Sequence, residues 1–452
     1  MEILHLAQAL MAEGIVENVR VTVADGVIMA AEPRAERRPD AMPVSGLTVP
    51  GMPNLHSHAF QRGMAGLSEK RGQQEDSFWT WREVMYGFLD RLTPDDVRAI
   101  AAQAYVEMVE HGFTSVAEFH YLHHDIDGRP YGDVAAMASA IAEAARESNI
   151  GLTLLPVFYR FGNFGGAPPT PGQRRFVSDR ELFGKLHEAS GKAIAGLPDA
   201  RLGIAPHSLR AVSISDLVTV KEMAKGGPIH IHVAEQQKEV DDCIAWGGKR
   251  PVELLFDSTY VGEQWCLIHA THLTEEERNQ LGESSAVAGL CPVTEANLGD
   301  GVFDGVNYRD IGGRFGVGTD SNIEIGVGAE LRMLEYSQRL RDQRRSLLAE
   351  LGGSVGRTLY ESALAGGAQA CGRKIGKIAP GCRADLVTLD SDHPALVGRR
   401  GDALIDSAIF AIANPPVAEV RVGGVKVVDN GRHFARETVA RRYGETMRRL
   451  LS

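Results

Sequence analysis

His56-Ser57-His58 is the first place in this chain where residue types and spacing suggest chemistry. Side chains two apart on a strand point to the same side, so both imidazoles can converge on one point. By itself a His-x-His pair says little. Three further residues give it weight: His232 ends the apolar run IHIH, His269 ends CLIH, and Asp320 ends FGVGTD. Each stands at the carboxyl end of a different strand-like segment, the face on which parallel barrels assemble their chemistry. Neutral imidazoles with one carboxylate suit a borderline divalent cation, Zn2+ or Fe2+, with a position left open for water. Glu235, just beyond His232, adds a carboxylate beside such an ion. Burial raises its pKa and the cation lowers it, which makes it a proton-shuttle candidate. His230 has the parity of His232 but one layer deeper, and His272 lies past its strand end; both are expected to be structural. Cys291, in GLCPVT, reads as core.

The segments that must position these residues alternate strand with helix. Thr93-Pro94-Asp95-Asp96 supplies an N-cap, a proline at the first helical position and acids in the first turn, opening a helix that stops at Gly112. Eight strand candidates fall between residues 48 and 322. Strands alternating with helices imply a parallel sheet with right-handed crossovers, and eight of them favour a closed α/β architecture, a (β/α)8 TIM-like barrel. Two inserts, residues 67–77 and 162–175, follow strand candidates and should reach the active face. Both ends of the chain read differently. Residues 14–33 alternate apolar and polar positions around the turn Asp25-Gly26, and strand-like runs near the C-terminus are punctuated by Pro380-Gly381, Gly423-Gly424 and Asn430-Gly431. The expected organisation is a small composite β-sandwich domain from residues 1–50 and 375–445, flanking a catalytic barrel of residues 51–374.

Composition narrows the classes. The 452 residues are 44% hydrophobic and 24% charged, ordinary for a globular protein, and the formal charge of −11 without a Lys/Arg cluster argues against nucleic acid as a partner. Five cysteines, none at Cys-x-x-Cys spacing, fit free thiols in a reducing compartment. The N-terminus has no basic leader, and no apolar stretch approaches the roughly 20 residues of a spanning helix. A cytoplasmic enzyme with no membrane partner is expected.

The run PGMPNLHSHAFQR, followed by HVAE, the isolated His269 and GTDSN, resembles the amidohydrolase superfamily over nearly the whole chain. That resemblance implies metal ligands His56, His58, His232 and Asp320. It implies catalytic roles for Asp320, for Glu235 in the His-x-x-Glu arrangement of the deaminase branch, and for His269, which would polarise the substrate or steady the attacking water. The fourth strand ends APHSLR without the lysine that bridges two metals in dinuclear members, so one ion, Zn2+ or Fe2+, is implied. A longer match, residues 54–67, closely resembles one family of deiminases, those that hydrolyse N-formimino-L-glutamate to N-formyl-L-glutamate and ammonia in histidine degradation. A dicarboxylate of that kind needs cationic partners. Arg82, in FWTWRE taken as a loop, and Arg210, just after His207, are suited to carboxylates by their forked donors. Gln61, Tyr121 and His207 add hydrogen bonds. A homodimer is also implied by the resemblance. The rival expectation is a deaminase for a purine, pyrimidine or triazine.

Overall fold

Alternation at the two ends of the chain produces one shared sheet. In the computed structural model, which describes residues 1–71 and 77–452, eight strands hydrogen-bond in the order Arg432–His433, Val425–Asp429, Val417–Val422, Leu386–Leu389, Met42–Pro50, Glu2–Met11, Gly14–Ala24, Val27–Glu32. Met42–Pro50 is the junction, parallel to Glu2–Met11 and antiparallel to Leu386–Leu389. The hairpin at Asp25-Gly26 forms with both residues at positive φ, 50° and 77°, the conformation a two-residue turn between twisted strands demands. One face of this sheet buries its own cluster, including Leu4, Val19, Val21, Ile28 and Leu386.

Gly51 separates that sheet from the catalytic half. A Cβ there would lie 2.2 Å from the Thr114 side chain, so only glycine permits the chain to pass. Each of the eight expected segments then carries a parallel strand. Met52–Ser57, Phe113–His120, Gly151–Phe158 and Arg201–Leu202 form one arc, with Ala205–Pro206 also paired to Gly151–Phe158. Ile229–Val233, Trp265–His269, Val287–Leu290 and Arg314–Val317 form a second. Nearly every position in both arcs is buried, as expected for a parallel sheet covered by helices. The arcs do not join as one continuous sheet. Single parallel bridges span the gaps, Ser57 to Asp320 at one and Ile204 to Ile229 and Ser208 to His232 at the other.

The structure differs from the sequence reading in three places. Asp320 is not the last residue of its strand, which ends at Val317; it sits beyond, at φ 42°, tied by its N–H to the His56 carbonyl at 3.0 Å. FWTWRE is not a loop but the start of the helix Phe78–Leu89, whose N-cap Ser77 forms a capping box with Thr80. Of the first expected insert, residues 72–76 lie outside the described residues. The last element is the helix Arg436–Leu450, unanticipated beyond the strand-like runs, which buries Val439 and Leu450 and receives a 2.7 Å bond from Arg91 Nη1 at the Leu450 carbonyl. The helix Pro94–Glu110 forms as expected, capped by Thr93 with Asp96. Among the described residues no helix is long and apolar enough to cross a membrane.

Candidate functional site

The seam between the first and eighth strands brings the His-x-His pair to Asp320. His58 N–H donates to the Asp320 carbonyl at 2.9 Å, closing this seam from the other side. Below it, Asn54 Nδ2 donates to Thr319 Oγ1 at 2.7 Å, and Asn322 Nδ2 donates to Ser57 Oγ and the His58 carbonyl at 3.2 Å each. On the other flank the Ala59 amide donates to Glu118 Oε1 at 2.7 Å and the Tyr105 hydroxyl to Glu118 Oε2 at 3.0 Å; burial pushes that carboxyl up to about 7. The turn that carries His56 and His58 is therefore held on both sides by buried polar groups.

His56, His58, His232 and Asp320 converge, with one nitrogen or oxygen from each lying within 4.8 Å of the others. Nε2 of His56 and His232 are 3.1 Å apart, and Asp320 Oδ1 is 3.3 Å from Nε2 of both His56 and His58. The Phe119 carbonyl lies 2.9 Å from His58 Nδ1 and fixes the proton there, leaving a lone pair on Nε2. Burial, reinforced by neighbouring rings, drives His56 and His232 well below the usual imidazole range and His58 down to about 3, so all three are neutral at physiological pH, as imidazoles that bind a metal must be. Were the other two imidazoles protonated at Nδ1 as His58 is, their lone pairs would face each other and a carboxylate and repel unless a cation lay between them. Tetrahedral ligands about 2.0–2.1 Å from an ion stand about 3.3–3.4 Å apart, which matches these separations. The donor set fits a divalent metal.

Two further groups face this cluster. His269 Nε2 is 3.8 Å from Glu235 Oε1 and 3.9 Å from Asp320 Oδ2. Burial opposes charging His269, but the charge of Glu235, a hydrogen bond to Glu295 and the charge of Asp320 prevail and raise it to about 10. Burial raises the Glu235 carboxyl, with His269 and Arg210 pulling the other way. Ala234, His269, Ala270 and Asp320 all adopt left-handed φ, between 42° and 68°. Such non-glycine residues cost about 1–3 kcal/mol each and persist where packing over-determines them, here around the cluster.

The cluster opens into a cavity whose lining includes ten of the eleven site residues singled out from sequence: His58, Gln61, Arg82, Tyr121, His207, Arg210, His232, Glu235, His269 and Asp320. His56 lies behind them, fully buried. Gln61 Nε2 donates to the Tyr121 hydroxyl at 2.8 Å, and His207 Nδ1 is 3.0 Å from Ser208 Oγ. Arg210 is buried beside two carboxylates, with Nη2 3.5 Å from Glu235 Oε2 and Nε 3.8 Å from Glu239 Oε1. His230 Nε2 lies 2.8 Å from the Ala370 carbonyl and His272 Nε2 2.8 Å from that of Asp300; both stand outside the cluster, and Cys291 is buried.

Sequence reading missed Glu239, Glu295 and Asp300, whose carboxyl is pushed up to about 9 by burial and by the charge of Glu235. Glu239 follows Glu235 by four residues, in the first turn of the next helix, a readable signal; Glu295 and Asp300 give none until the fold sets them against His269 and Glu235.

Residues 47–427 match the family model described as Amidohydrolase family, and residues 1–43 match one described as Formimidoylglutamate deiminase HutF, N-terminal domain. The chain is 48% identical to formimidoylglutamate deiminase of Pseudomonas aeruginosa, covering 100% of both chains. It is 26% identical to 5-methylthioadenosine/S-adenosylhomocysteine deaminase of Natronomonas pharaonis over 85% of this chain and 82% of that one. Among solved structures, an amidohydrolase from Brucella melitensis superposes with a TM-score of 0.97 at 50% identity, covering 100% of both chains. An adenosine deaminase from Xanthomonas campestris with bound zinc shares the fold, with a TM-score of 0.83 at 20% identity over 99% of this chain and 98% of that one. With the matched model spanning residues 47–427 and the metal-fitting cluster at its strand ends, this chain belongs to the amidohydrolase family.

Proposed function

We propose that the protein is a formimidoylglutamate deiminase, hydrolysing N-formimino-L-glutamate to N-formyl-L-glutamate and ammonia in histidine degradation. The observation that carries this reading is the 48% identity, end to end, with the Pseudomonas aeruginosa enzyme of that name. Two arginines on the wall of the cavity support it, since a dicarboxylate needs them and a neutral purine, pyrimidine or triazine ring does not.

His56, His58, His232 and Asp320 are the proposed ligands of one divalent ion, Zn2+ or Fe2+. Such an ion supplies Lewis acidity and lowers the pKa of water from about 15.7 to about 7. Asp320 takes the proton of the attacking water. His269 orients that water and steadies the tetrahedral centre as it forms at the formimino carbon. Glu235 delivers a proton to the nitrogen that departs as ammonia. Arg82 and Arg210 hold the two carboxylates of the substrate, and Gln61, Tyr121 and His207 add hydrogen bonds to its body. The two strand arcs make up a (β/α)8 barrel, residues 51–374, on which residues 1–50 and 375–445 form the composite β-domain. A cytoplasmic homodimer is the working state.

Elemental analysis of purified protein, with identification of the products formed from N-formimino-L-glutamate, tests the proposal. Ammonia with N-formyl-L-glutamate is the expected pair. Turnover of a purine, pyrimidine or triazine with none of the formimino compound would replace it by the rival reading.

A further inference from the structure

Trp79 gathers an unusual concentration of positive charge. Arg82 Cζ lies 4.7 Å from its ring centre, Lys238 Nζ 5.7 Å and Arg210 Cζ 5.8 Å. The helix Phe78–Leu89 builds part of this directly: Trp79 precedes Arg82 by about one turn and Tyr86 follows by another, with Arg82 Cζ 5.6 Å from the tyrosine ring. Lys238 is bonded to Asp242 at 2.8 Å, and Arg210 faces Glu235 and Glu239. Arg82 pairs with no carboxylate among the described residues, and the Nε of both Arg82 and Arg210 is buried without a hydrogen-bond partner.

An aromatic face attracts a cation through its quadrupole and uses none of the guanidinium's five N–H donors, whereas a carboxylate partner would occupy them. Both arginines line the cavity, but Trp79 does not, so it acts through them. Three cations around one ring repel one another, and an anion entering the cavity relieves that repulsion. We infer that Trp79 is a positioning residue for ligand carboxylates, holding Arg82 over the cavity with its N–H edge turned to an incoming dicarboxylate and bracing Arg210 between the indole and its two carboxylate neighbours. This rests on the dicarboxylate reading of the same site.

The test uses the metal-loaded enzyme and its Trp79→Leu and Trp79→Phe variants. The leucine variant is expected to raise KM for N-formimino-L-glutamate by about 3- to 30-fold, with kcat less affected, and the phenylalanine variant to fall between it and the parent. Glutarate binding, read by calorimetry, should weaken by the same factor. Metal content reports folding, and if the leucine variant loses its metal the phenylalanine variant carries the comparison. Parent-like KM and glutarate affinity in a metal-loaded Trp79→Leu enzyme would overturn the inference, as would a fall in kcat alone. A parent that binds glutarate without releasing ammonia from the formimino compound defeats the proposed reaction and leaves the Trp79 comparison readable. A parent that binds no glutarate overturns both.

Discussion

Glu295 Oε1 lies 3.2 Å from Nδ1 of His269 and accepts the Cys291 amide N–H at 2.8 Å. The carboxylate is thus anchored to backbone on one side and orients the imidazole on the other, leaving Nε2 toward Glu235 and Asp320. Glu295→Gln keeps the shape and removes the charge. It should lower kcat by about 10- to 100-fold, the usual effect of losing such a partner, while the ion stays bound. Parent-like kcat in a metal-loaded variant would mean that packing alone orients His269.

Glu235→Gln should retain the metal and lose about 100- to 10,000-fold in turnover, because an amide cannot carry a proton. Steady-state kinetics on variant protein of verified metal content decide it. Near-normal turnover would reduce Glu235 to a partner of Arg210.

Arg82 and Arg210 should behave differently when removed, although both face the cavity. Losing one partner of a desolvated charge pair costs about 2–5 kcal/mol, so either arginine changed to methionine should lower kcat/KM on the formimino dicarboxylate by about 30- to several-thousand-fold. Arg210→Met additionally strands Glu235 and Glu239 in a buried site, which costs about 3–5 kcal/mol, so its melting temperature should drop as well. Arg82 has no such partners among the described residues, and Arg82→Met should melt near the parent. If both variants turned over the dicarboxylate at the parent rate, the diacid assignment would fail.

Chelation should destabilise the fold. The four candidate ligand atoms include three pairs only 3.1–3.3 Å apart, which a cation between them would relieve, and an ion that binds only the folded state stabilises it by mass action. The expected result is a lower melting temperature after dialysis against a chelator, restored by about one equivalent of Zn2+ or Fe2+ per chain. Two tightly bound ions per active chain would contradict a mononuclear site.

Much of this molecule was legible before folding because its signals are local. His56, His58, His232, His269 and Asp320 could be read as a set because parallel strands place their carboxyl ends on one face, so position along each strand stands in for position in space. The Thr93–Asp96 cap and the Asp25-Gly26 hairpin were fixed by residues within a few positions of one another. FWTWRE was misread because its cap, Ser77 with Thr80, adjoins a long polar insert that carries no helical period.

What the sequence determined, then, was which histidines and carboxylates are candidate ligands and the strand ends near which they stand, since both depend on short-range spacing. Only the tertiary structure decided which charges oppose which. Arg210 meets Glu239, Glu295 stands behind His269, and Trp79 gathers Arg210 and Lys238. These contacts join helices and loops from different strand–helix units, and no periodicity along the chain encodes them. They follow from the packing of the two arcs and from the requirement that every buried charge find an opposite charge, a hydrogen bond or an aromatic face.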